Sequence, residues 1–129
     1  MTASSTNRLH LVQGYIDAYN RCDVPAMLRT LHPDIEFKNV SGGRVTSNTV
    51  GIAQFEEKAR ASARLFKTRH QHIEEISFLE DRIEVRIGYS ATLAVDLPNG
   101  LKAGRTIELN GRSIFRFSGD LIIGIEDIS

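Results

Sequence analysis

The stretch Arg82-Ile83-Glu84-Val85-Arg86-Ile87-Gly88-Tyr89-Ser90-Ala91-Thr92-Leu93-Ala94-Val95-Asp96 alternates apolar and polar side chains. Ile83, Val85, Ile87, Tyr89, Ala91, Leu93 and Val95 face one way. A period of two puts neighbouring side chains on opposite faces of a strand, one toward a core and one toward water. Leu97-Pro98-Asn99-Gly100 is a turn signal that follows it. Arg105 to Phe117 alternates again, and its Asn110-Gly111 pair predicts a bulge or bend. Ser118-Gly119-Asp120 turns into a last strand, Leu121 to Ile128. On the other side, His70 to Leu79 reads as a strand closed by Glu80-Asp81. Everything after Thr68 therefore reads as strands.

The first half of the chain has a different period. Leu9, Val12, Ile16 and Tyr19 fall at helical spacings, and Leu11, Tyr15 and Ala18 widen the stripe. A helix is predicted from Thr6 to about Tyr19, with Ser5 or Thr6 as its N-cap. Asn20-Arg21-Cys22 breaks it. Asp23 then caps a short second helix with Pro25 in its first turn, ended by His32-Pro33. Ile35 to Val40 alternates as a short strand whose inward row is Ile35, Phe37 and Asn39. Ser41 through Asn48 reads as a loop around Gly42-Gly43. From Gly51 to Phe66 the helical period returns, with Ile52, Phe55, Ala59, Ala63 and Phe66 on one face. Helices followed by a run of antiparallel strands define an α+β chain. Its expected form is a cone: three N-terminal helices packed on a strongly curved, mostly antiparallel sheet, with room for a pocket.

Composition narrows the class. The chain has 129 residues, 16 basic and 16 acidic, and a single cysteine. That length fits a single domain, 1–129. Balanced charge argues against nucleic acid, which is bound through a basic patch, and against a polybasic membrane surface. Cys22 alone leaves no intrachain disulfide and no multi-cysteine zinc site. No signal-like segment opens the sequence, and the longest apolar run, Leu121-Ile122-Ile123-Gly124-Ile125, is too short to span a bilayer. A cytoplasmic protein without a cofactor is expected.

Particular residues carry a resemblance. Leu11-Val12-Gln13-Gly14-Tyr15-Ile16-Asp17-Ala18-Tyr19-Asn20, then Asp23, then Leu31-His32-Pro33-Asp34-Ile35-Glu36-Phe37 looks like the opening of the nuclear transport factor 2-like superfamily. Gly51-Ile52 is similar to the start of its third helix. Phe115-Arg116-Phe117-Ser118-Gly119-Asp120-Leu121-Ile122 with Ile125-Glu126-Asp127 is similar to its terminal hairpin. Within that superfamily the chain resembles the SnoaL-like and ketosteroid-isomerase-like families, over nearly its whole length. Against the isomerase, Tyr15 matches the helix tyrosine that holds an oxyanion, Asn39 stands at the base, and Ser113 stands near the second donor. An amide does not take a proton near neutral pH, so Asn39 departs from that pattern. Against limonene epoxide hydrolase, Phe37-Lys38-Asn39-Val40 resembles the water-holding strand and Asp127 matches the final carboxylate. Ser90 and Thr92 replace its central Arg and Asp. Against SnoaL-like cyclases, Asp127 matches the acidic residue that moves protons.

These readings give a candidate site. Asp127, Tyr15 and Asn39 are the catalytic candidates. Ile35, Phe37, Tyr89, Leu93, Ser113 and Phe115 are the candidate ligand-binding walls. A carboxylate on an apolar strand face is a candidate acid or base. His70 and His72 share a strand face and could hold a metal only with a third ligand; no metal is expected. His32 reads as a helix-end cap. The leading expectation is a SnoaL-like domain that binds a small, partly hydrophobic molecule. One alternative is a small isomerase, dehydratase or hydrolase using Asp127 with Tyr15 and Asn39. Another is a non-catalytic dimerisation or docking module. The resemblance also implies a homodimer through the outer sheet face, where Arg82, Glu84, Arg86, Thr106, Glu108 and Arg112 lie.

Overall fold

A computed structural model describes residues 3–129 of the chain. Helix α1 spans Ala3–Asn20 and buries Val12, Tyr15, Ile16 and Ala18. Its apolar stripe is the one the spacing predicts, but the helix begins earlier, so Ser5 and Thr6 lie inside it and do not cap it. Cys22 takes a positive φ of 55° and ends the helix direction. Asp23 caps helix α2, Val24–Leu28, by accepting the Ala26 N–H at 3.1 Å. Helix α3, Ile52–Ala63, buries Phe55 and Ala59 and turns its charged face outward.

Six strands follow or interleave: β1 Leu31–Ser41, β2 Arg44–Val50, β3 Phe66–Phe78, β4 Arg82–Leu93, β5 Thr106–Ser118 and β6 Leu121–Ile128. They form one sheet in the order β2-β1-β6-β5-β4-β3. Four of its pairings are antiparallel, while β1 and β6 run parallel. The helices pack on one face, and the core lies between. Ile35, Ile83, Val85, Leu93, Phe115 and Ile122 are almost fully buried there. The opposite face is laced with ion pairs: Arg82 to Glu84 at 2.9 Å, Arg112 to Glu84 at 3.5 Å and Arg86 to Glu75 at 2.9 Å.

Three expectations change. The predicted loop from Ser41 to Asn48 is mostly strand β2, joined to β1 by a tight Gly42-Gly43 turn. Its side chains are largely exposed because β2 is an edge strand, so it lacks an apolar row; the β-branched run of Val45, Thr46, Thr49 and Val50 is its signal. His32 lies in β1 and does not cap a helix; its Nδ1 accepts the Asp34 N–H at 3.0 Å. No bulge occurs at Asn110-Gly111, where β4–β5 pairing runs unbroken. Gly111 instead permits close approach: a Cβ there would lie 2.6 Å from the Ile128 carbonyl oxygen. At Gly88 a Cβ would meet the His72 ring at 2.2 Å. Backbone cannot yield as an exposed side chain can. Gly111→Ala is therefore expected to cost about 1–3 kcal/mol and Gly88→Ala under about 1 kcal/mol. Urea denaturation of both variants measures the difference.

Candidate functional site

Parallel pairing of β1 with β6 sets the centre of the site. It places Asn39 opposite Asp127 and Phe37 opposite Ile125. On the other side of β6, Ser113 of β5 lies opposite Asp127. Its hydroxyl donates to Asp127 Oδ1 at 2.6 Å. Among the described residues no protein group takes Oδ2. Burial pushes the Asp127 pKa up to about 6, and the Ser113 hydrogen bond opposes that rise.

Two adjoining cavities meet at this carboxyl. The first, about 280 Å³, lies under α1 and α3 and is lined by Tyr15, Tyr19, Phe37, Asn39, Phe55, Lys58, Arg69 and Asp127 among others. The second, about 220 Å³, opens toward β4 and β5 and includes Gln71, Tyr89, Ser113 and Arg112. Tyr19, Asn39 and Asp127 border both. The walls of the first mix four aromatic rings, those of Tyr15, Tyr19, Phe37 and Phe55, with polar and charged side chains. Phe55 meets Phe37 edge-on at 5.8 Å and Tyr15 at 6.4 Å between centroids.

Polar groups are distributed around the carboxyl. Tyr15 is buried, and its ring lines the first cavity. Burial pushes its pKa far up, nearby Asp127 adds to that, and Arg69 opposes it. The phenol therefore remains a proton donor throughout the working pH range. Asn39 uses one amide N–H on Thr46 Oγ1 at 2.8 Å. Tyr19 donates to the Tyr89 hydroxyl at 3.2 Å, which joins the two cavities through a pair of phenols.

The candidate residues thus separate into groups. Tyr15, Phe37, Asn39 and Asp127 border the first cavity; Asn39, Tyr89, Ser113 and Asp127 border the second. Ile35, Leu93 and Phe115 border neither. They are at most 1% exposed, and Ile35 and Phe115 belong to the core cluster that includes Val12, Tyr15 and Ile16 of α1. His70 and His72 stack at 6.2 Å away from the site, and no three metal-ligating side chains cluster among the described residues.

Sequence reading missed Arg69. It is 4% exposed on β3 and borders the first cavity. Starting that strand at His70 left it out, although alternation carried back from Ile73 through Gln71 reaches it. Lys58, an exposed residue of α3, lines the same cavity.

The fold and this site define a cone-shaped α+β domain with polar groups converging on an internal cavity. A SnoaL-like domain model matches residues 12–125, and the chain belongs to that family. A candidate polyketide cyclase from Xanthomonas campestris pv. campestris is similar in structure, with a TM-score of 0.81 at 20% identity over 96% of this chain and 90% of that one. A candidate SnoaL-like polyketide cyclase from Jannaschia sp. CCS1 gives 0.78 at 12% identity, over 95% and 84%. TerC, co-crystallised with polyporic acid, gives 0.75 at 17% identity, over 95% and 90%. At these identities the likeness concerns the fold. A search of curated proteins yields no match. No helix among the described residues is long and apolar enough to cross a membrane.

Proposed function

We propose that the chain binds a small, partly hydrophobic molecule in the paired cavities and moves a proton on it with Asp127. One observation carries this reading: a single carboxyl borders both cavities, is anchored through one oxygen, and has its pKa raised to about 6 by burial. A group poised near neutrality both accepts and returns a proton efficiently. Tyr15 supplies a hydroxyl donor for a carbonyl or hydroxyl, and Asn39 supplies its remaining amide hydrogen. Isomerisation, dehydration and hydrolysis are the reaction classes open to this set, since each needs a proton moved beside a held oxygen. Aromatic walls suit a ring-bearing ligand. TerC, a structural relative, was co-crystallised with polyporic acid.

An enolisable bicyclic ketone, 2-tetralone, tests the chemistry. In deuterated buffer, NMR follows loss of its α-protons. Wild-type protein is expected to accelerate exchange, and Asp127→Asn to slow the catalysed rate by about 100-fold or more. Equal rates for the two proteins would remove Asp127 from the chemistry.

A further inference from the structure

We propose that Arg69 is an anion anchor, and that the molecule held in the first cavity is a small planar aromatic acid whose carboxylate it binds. The inference rests on the binding reading above and specifies its ligand class. Arg69 is nearly fully buried. A guanidinium carries a positive charge in proteins. Two contacts fix it: Nε donates to the Tyr19 carbonyl at 2.8 Å, and Cζ lies 3.7 Å from the centroid of the Tyr19 ring. Neither contact neutralises the charge. Nη2 is buried and has no hydrogen-bond partner, and no carboxylate lies within 4.0 Å of Arg69 among the described residues.

A buried charge without a counter-charge is costly, and a buried donor without an acceptor adds to the cost. Asp127 borders the same cavity but forms no ion pair with Arg69 within 4.0 Å. Among the described residues, Lys58 is the one other cation lining this cavity, so two positive groups stand there against one acid. An incoming carboxylate would satisfy Nη2 and supply the missing charge together. The guanidinium fork suits two parallel hydrogen bonds to such a group. Tyr15, Tyr19, Phe37 and Phe55 line the same cavity, and their rings offer apolar surface to the body of the ligand. Tyr15 lies within electrostatic reach of both Arg69 and Asp127. A ligand anchored at Arg69 would therefore extend past the Tyr15 hydroxyl toward the acid.

The probes are 2-naphthoate and its neutral isostere, 2-naphthamide, titrated by calorimetry at pH 7.5. Wild type is expected to bind the naphthoate at least about tenfold more tightly than the amide. Arg69→Met is expected to erase that preference while leaving amide affinity within about twofold, and Lys58→Met to weaken naphthoate by less than about threefold. In ¹⁵N-labelled wild type, the Arg69 Nε–H resonance is expected to shift on adding naphthoate, a readout that needs no variant. Amide binding without any preference for naphthoate overturns the anchor and leaves the binding reading standing. So does an unmoved Arg69 resonance under saturating naphthoate. Failure of both probes to bind wild type overturns the ligand reading itself, and the anchor with it.

Discussion

Replacing Phe115 with alanine will cost the folded state about 3–5 kcal/mol, the largest loss expected from any single core truncation in this chain. Phe115 is 1% exposed on β5, an interior strand of the sheet. It pairs with Ile83 on one side and Ile125 on the other. Its ring meets Tyr15 edge-on at 5.9 Å. Removing it leaves a void under α1 that strands hydrogen-bonded on both sides cannot close. Domains of ordinary stability hold only about 5–15 kcal/mol, so the variant will sit near the unfolding threshold. Urea denaturation followed by circular dichroism measures it, since the chain has no tryptophan. Leu109→Ala, on the same strand but half exposed, is the control and should cost under about 1 kcal/mol. Equal losses for the two would mean that β5 does not carry the core as described.

Asp127 gives the second large effect. Its carboxyl titrates near 3.8 when exposed and near 6 in the fold, because burial disfavours the charged form. The folded protein therefore binds this proton more tightly than the unfolded chain does. Stability falls as pH rises from about 4 to about 6, then levels, with a total of about 3 kcal/mol at most. Asparagine keeps an acceptor for the Ser113 hydroxyl and carries no charge. Asp127→Asn should match wild type near pH 4 and exceed it by up to about 3 kcal/mol at pH 8, a rise in melting temperature on the order of 10 °C. Melting curves of both proteins across that range give the difference directly. A difference independent of pH would show that the carboxyl is solvated.

The fold was legible where burial follows a simple period. The alternation from Ile83 to Leu93 and the stripe from Val12 to Tyr19 both lie against the core, so each residue's face could be read from its neighbours. Strand β2 was not legible, since an edge strand with most side chains in water has no apolar row to read. The site was legible only in part. Tyr15, Phe37, Asn39 and Asp127 could be placed on inward faces, and those faces border a cavity. Ile35 shares the row of Phe37 and Asn39, and Phe115 that of Ser113, yet neither borders a cavity, because alternation gives the face and not the depth. Arg69 was missed for a related reason. A charged residue at a strand's start reads as solvent-exposed, and nothing local shows that Tyr19 shelters it.

The parallel pairing of β1 with β6 has a kinetic meaning as well. Asn39 and Asp127 are neighbours in space but lie far apart along the chain, with α3 and strands β2 to β5 between them. Contacts that close so long a loop form late, after local turns and hairpins have reduced the entropy to be lost. The carboxyl meets Ser113 within the local β5–β6 pair, while Asn39 and the cavity walls of β1 reach it only through this long-range pairing. A folding intermediate lacking that one pairing would hold most of the core but would have no working site.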